Sequence, residues 1–139
     1  MVMMQQSMVF KPWMAYGPTG VLGFVWKQRR DDVQGPPTPP QSQLVVWGPG
    51  FDVYAGISCD GGKTWLPPLR VNAETSSNGP SGQDDLSYIA LDKHYAHLVW
   101  GDRRFISKIT NVPTGQGGVQ TFHGRVPFSV ASKGAKCGR

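Results

Sequence analysis

The sequence predicts an all-β fold made of two similar antiparallel units, and three observations carry that prediction. Helix signals are nearly absent, and 18 Gly with 12 Pro make up about a fifth of the 139 residues. Short apolar runs of alternating character recur between turn-forming clusters. Stretches of the first half also reappear in the second half with the same residues in register. Charged residues are only 17% and aromatics 11%, so the chain has apolar surface to bury and length for one modest core.

Taken in order, "PWMAY" and "VLGFVWK" flank Gly17-Pro18-Thr19-Gly20 and read as a hairpin. The next stretch, "QRRDDVQGPPTPPQSQ", is a polar loop whose Pro36-Pro37 and Pro39-Pro40 favour extended backbone and bar a helix. "LVVWGPG" reads as a short strand or an apolar flap, and "FDVYAGIS" as a strand. The turn "SCDGGKTW" and a strand "PPLRVN" follow. In the second half, "LSYIAL" and "YAHLVWG" form a hairpin about Asp92-Lys93-His94, and a Gly-rich loop leads into "VQTFHGRVPFSV".

The two halves share a grammar. "GFVWKQRR" (Gly23 to Arg30) aligns with "HLVWGDRR" (His97 to Arg104) at an offset of 74 residues. "FDVYAG" (Phe51 to Gly56) aligns with "VQTFHG" (Val119 to Gly124) at an offset of 68, the difference lying in loop lengths. Such duplication argues for a repeat architecture in which each unit buries one face against a neighbour.

The turn "SCDGGKTW" carries Ser58-x-Asp60-x-Gly62-x-Thr64-Trp65. The Asp60 carboxylate can accept backbone N–H groups of its own turn. Gly61 and Gly62 can take positive φ, the Thr64 hydroxyl can close the loop, and Trp65 can pack between layers. This S-x-D-x-G-x-T-W pattern resembles the Asp-box, or BNR repeat, of sialidase-like β-propellers. The likeness covers roughly residues 11 to 130, although the second unit reads "RVPFSVASKG" where a box would fall. In the resembling family the box is a scaffold turn on the outside of the propeller, away from substrate.

The resemblance implies two four-stranded antiparallel propeller blades per chain, a C-terminal two-blade portion of such a propeller. Blade 1 would span residues 13–73 and blade 2 residues 74–132. Residues 1–12 would form an N-terminal segment, with "MQQSMVF" a candidate outer strand for the second blade, and residues 133–139 a basic tail. Propellers close with four to eight blades, and two blades alone expose faces and edges. A homo-oligomer is therefore expected, a trimer of six blades or alternatively a dimer of four.

The resemblance also places a site. Arg29, Arg30, Asp31, Asp32, Asp102, Arg103 and Arg104 would gather on the rim opposite the Asp-box turn, joined by Glu74, Asp84 and Asp85. Sialidases hold a carboxylate with arginines on that face and use an Asp as acid, so Arg30, Arg104, Asp85 and Asp102 are the candidate catalytic residues. A planar guanidinium suits a carboxylate because it offers two parallel donors. The expected ligand is a sugar or another small molecule. Tyr54 and Glu74 are present, but two blades cannot supply the whole sialidase constellation. An alternative is a calcium-dependent hydrolase of small lactones or esters, such as acyl-homoserine lactones, with Asp84, Asp85 and Asp102 as hard oxygen ligands. A third is a non-catalytic fragment or interaction module.

Other classes find little support. The formal charge of +5 comes from scattered Lys and Arg with doublets only at Arg29-Arg30 and Arg103-Arg104, which argues against nucleic acid. No run approaches a membrane span, and the opening "MVMMQQSMVFKPW" has no signal-peptide pattern, so the chain as written is expected to be soluble and cytoplasmic, although the resembling family is often secreted. Cys59 and Cys137 show no metal-ligand spacing and make no disulfide framework by themselves. His94, His97 and His123 form no spaced metal motif, and neither a G-x-S-x-G elbow nor a phosphate loop opening a helix is present.

Overall fold

The computed structural model describes residues 9–34, 49–76, 87–102, 120–131 and 137. The first sheet places β1 (Val9–Tyr16), β2 (Leu22–Gln34), β3 (Pro49–Ser58) and β4 (Leu69–Arg70) side by side in chain order, all antiparallel. The second places β5 (Ser87–Leu91), β6 (Tyr95–Asp102) and β7 (Gln120–Pro127) in the same meander. The all-β expectation holds, with four strands in the first sheet and three in the second among the described residues.

Local chemistry fixes the connections. The β1–β2 turn closes through Gly17 N–H to Val21 O (2.8 Å), with Gly20 at φ 76°. At the β5–β6 turn Asp92 Oδ1 accepts from His94 N (2.6 Å) and Tyr95 N (2.7 Å), an Asx turn. The expected strand through "RVPFSV" stops at Pro127, and a single helical turn, α1 (Phe128–Ala131), follows. Phe128 is buried, and its N–H donates to His94 O. Val9 and Phe10 pair with Gln28 and Lys27, so this end of "MQQSMVF" is the start of β1 in the first sheet, not an edge of the second. A register shift between Phe10 and Trp13 accompanies Lys11 at φ 53°.

The core forms where the two sheets face each other. Val25, Val53, Ala55 and Ile57 of the first sheet and Ile89, Ala96, Leu98 and Trp100 of the second are buried there. A Cβ at Gly23 would stand 2.8 Å from the Ile89 side chain, so this glycine lets β2 and β5 approach.

The repeat is visible in side-chain packing. Trp26 stacks on Tyr54 (5.8 Å, 16°), and Trp100 stacks on Phe122 (6.0 Å, 19°). Beneath each ring lies a glycine of the adjacent strand, Gly56 under Trp26 and Gly124 under Trp100. Yet the two tryptophans stand on different sides. Trp100 lies on the buried face between the sheets, whereas Trp26 lies on the outward face of the first sheet. The counterpart valines show the reverse: Val25 is buried between the sheets and Val99 faces outward. The valine side of one unit thus packs on the tryptophan side of the next.

Candidate functional site

The end of the first sheet opposite the Ser58–Trp65 turn is organised by a residue the sequence reading did not single out, Asp52. It sits on β3 between Phe51 and Val53 with its side chain fully buried. Arg30 Nη1 donates to its Oδ2 at 2.7 Å, and Arg70 Nη2 lies 2.9 Å from its Oδ1. Thr75 Oγ1 (2.8 Å) and Asn72 Nδ2 (3.2 Å) also donate to Oδ1. Burial pushes the Asp52 carboxyl up, but the bonds from Thr75, Arg30 and Asn72 and the charge of Arg70 outweigh it and hold the group below its ordinary 3.8. Asp52 therefore stays ionised as an anchor and is not a proton donor near neutral pH.

The chain reaches this arrangement because β4 is only two residues long. Beyond it Asn72 Oδ1 accepts from Val53 N (2.8 Å), and Ser76 exchanges two backbone bonds with Phe51. The side chain of Asn72 thereby continues the ladder and delivers Thr75 and Arg70 to Asp52. The guanidinium side chains remain partly in solvent, Arg30 at 34% and Arg70 at 39% exposure.

Of the expected site residues, Arg30 is at this rim, paired to Asp52. Asp31 and Asp32 continue β2, Asp102 ends β6 on the same side, and Glu74 is exposed with its carbonyl accepting from Asn72 Nδ2. Arg103, Arg104, Asp84 and Asp85 lie outside the described residues. Among the described residues no group of three or more His, Cys, Asp and Glu could hold a metal ion. Arg70, Asn72 and Thr75 were missed, and an Asp within the apolar run "FDVYAG" was the available signal.

The turn over Ser58 to Trp65 is closed by its own side-chain hydrogen bonds. Asp60 Oδ1 accepts from Ser58 Oγ (2.8 Å) and Thr64 N (2.9 Å), and Oδ2 from Thr64 Oγ1 (2.6 Å). Ser58 Oγ accepts from Gly62 N (2.8 Å). Gly61 and Gly62 have φ of 72° and 97°, where a side chain would be strained. Bonds from the Thr64 hydroxyl, the Thr64 backbone and Ser58 lower the Asp60 carboxyl from 3.8 to about 2. Trp65 lays its ring beside Gly56 and edge-on to Phe24 (6.3 Å), on the outward face of the first sheet.

A second polar cluster marks the outward face of the other sheet. His97 Nε2 lies 2.9 Å from Asp92 Oδ2, His123 stacks on His97 at 5.7 Å, and Arg125 covers the Tyr95 ring at 4.4 Å. The bond to His97 and the His94 and Tyr95 amides lower the Asp92 carboxyl to about 2.

Cys59 and Cys137 are joined in a disulfide across 78 residues, a pairing the sequence reading did not assign. It ties the chain after β7 to the Ser58–Trp65 turn, and both cysteines pack against the core. Bonds of this kind persist in oxidising surroundings.

No protein-family model, curated protein or solved structure matches the chain.

Proposed function

We propose that the chain is a sugar-binding protein of the sialidase-like β-propeller class, and that it holds an acidic sugar through the ligand's carboxylate. The observation that carries this reading is the Arg30–Asp52–Arg70 cluster, in which one buried carboxylate orients two partly exposed guanidinium groups at one rim. Arginines fixed in advance lose little freedom on binding, and Arg70, held through Nη2 by Asp52 and Thr75, can offer Nη1 to a carboxylate. Tyr54, opposite Arg70 in register and stacked on Trp26, adds ring surface beside them for the apolar side of a sugar. The Asp-box turn supports the family likeness.

Asp52 is held ionised by the groups bonded to it, so the carboxylate at the centre of this cluster serves as a binding anchor and not as a general acid near neutral pH. The acid expected for hydrolysis, Asp85 or Asp102, has its side chain outside the described set.

Isothermal titration with N-acetylneuraminic acid tests the reading, with N-acetylglucosamine as the neutral comparison. The acidic sugar should bind saturably, and Arg70→Ala and Arg70→Lys should each weaken it about tenfold or more, since a charged hydrogen bond contributes roughly 1.5–3 kcal/mol. Binding should be indifferent to chelator, whereas the calcium-dependent alternative requires loss of activity on chelation. Absence of saturable binding, or unchanged affinity in both folded variants, would sink the proposal.

A further inference from the structure

The two outward faces differ in a way that matches the contact already formed inside the chain. Within one chain, the valine side of the first sheet packs on the tryptophan side of the second. This leaves the tryptophan side of the first sheet and the valine side of the second without a partner sheet among the described residues. An analogous relation between molecules, without the close approach that Gly23 allows inside the chain, would bring these two remaining faces together. We propose that the outward face of the first sheet is a docking surface for the outward face of the second sheet of another copy of this chain.

Three observations support a second copy as the occupant. The outward face of the first sheet is apolar and exposed: Met14 is 56% accessible, Tyr16 68% and Trp65 46%, with Phe24 beside Met14 and Trp65 and stacked on Trp26. Exposed apolar surface of this kind, rimmed by charge, marks an interaction site. The facing surface supplies complementary chemistry. It carries Val99 among Tyr95, His97, His123 and Arg125, with the Arg125 guanidinium already over the Tyr95 ring at 4.4 Å. Cationic groups against Trp and Tyr rings form cation–π contacts, and Tyr, Trp and Arg are enriched in interfaces. Finally, the positions that are Gly23, Val53 and Ala55 in the internal contact are His97, Thr121 and His123 on the free face, a more polar set suited to association between separate molecules.

Two unlike faces make the contact head-to-tail. Such contacts add copies in one rotational sense and close into a ring when the rotation allows.

Light scattering coupled to size exclusion, at micromolar concentration, tests this with two surface variants. Met14→Glu/Tyr16→Glu charges the first face, and Thr121→Glu/His123→Glu charges the second at exposed positions. The unmodified chain should run at a multiple of its 15.2 kDa. Each variant alone, checked for cooperative melting, should run as a monomer. An equimolar mixture should return to twice the monomer mass, since each variant keeps one intact face. Should either variant fail to melt cooperatively, Tyr16→Lys replaces the first and Thr121→Arg the second. A monomeric unmodified chain would overturn the proposal, as would either folded variant retaining the oligomer. A mixture that stays monomeric would do the same.

Discussion

The Nζ of Lys27 donates to the carbonyl of Gly101 at 3.2 Å across 74 residues, the same offset at which "GFVWKQRR" aligns with "HLVWGDRR". Lys27 is thus bonded to its own counterpart in the other unit. Its side chain is fully buried, with Nζ 4.4 Å above the Phe51 ring. A buried ammonium is costly unless its donors are used, so this contact aligns the sheets as well as joining them.

Replacing Lys27 with Ala should lower unfolding free energy by about 2–4 kcal/mol, because a buried aliphatic stem disappears and the Gly101 carbonyl loses a donor. Urea denaturation measures this. A loss below about 1 kcal/mol would show that the contact adds little.

Gly124→Ala should destabilise the fold, although alanine is ordinarily better than glycine inside a strand. An added Cβ would stand 2.8 Å from Val71 Cγ1 and 3.0 Å from the buried Trp100 ring. Neither neighbour can withdraw easily, and overpacking of this kind costs about 1–3 kcal/mol. Unchanged thermal stability would contradict the tight ring-over-glycine packing.

Asp60→Asn should weaken the Ser58–Trp65 turn, since an amide cannot accept at both terminal atoms. The Asp60 carboxyl ionises near 2 when folded against an ordinary 3.8, so its stabilisation is complete above about pH 4 and disappears as pH falls through 2. Melting temperatures of the original and Asp60→Asn proteins should therefore differ at pH 7 and converge toward pH 2. A gap that is independent of pH would refute the assignment.

Cys137→Ser, or reduction of the intact chain, should lower stability by up to about 4–5 kcal/mol in the chain-entropy limit for a closure spanning 78 residues. Denaturation with and without reductant reads this directly. Equal midpoints would mean that the bond constrains nothing.

What the sequence revealed was mostly local. The Gly17–Gly20 hairpin, the Asp92 turn and the Ser58–Trp65 turn each follow from residues a few positions apart, whose turn chemistry needs no distant partner. The repeat was legible from two pairs of aligned strands. The Asp52 cluster was not, because its partners lie about 18 to 23 residues away along the chain and no spacing rule joins Arg30, Arg70, Asn72 and Thr75. Lys27 reads as an ordinary strand lysine until the second sheet closes over it. The cysteine pairing was equally hidden, since only the return of the chain after β7 brings Cys137 to Cys59.

The bond between Cys59 and Cys137 makes a covalent circle of everything between them. A protease that cuts the backbone once inside this circle cannot release a fragment. The nicked molecule keeps its full mass on a denaturing gel until thiol is added, and only then separates into two pieces. Clipped and intact material would therefore migrate as one species of equal mass wherever reductant is absent.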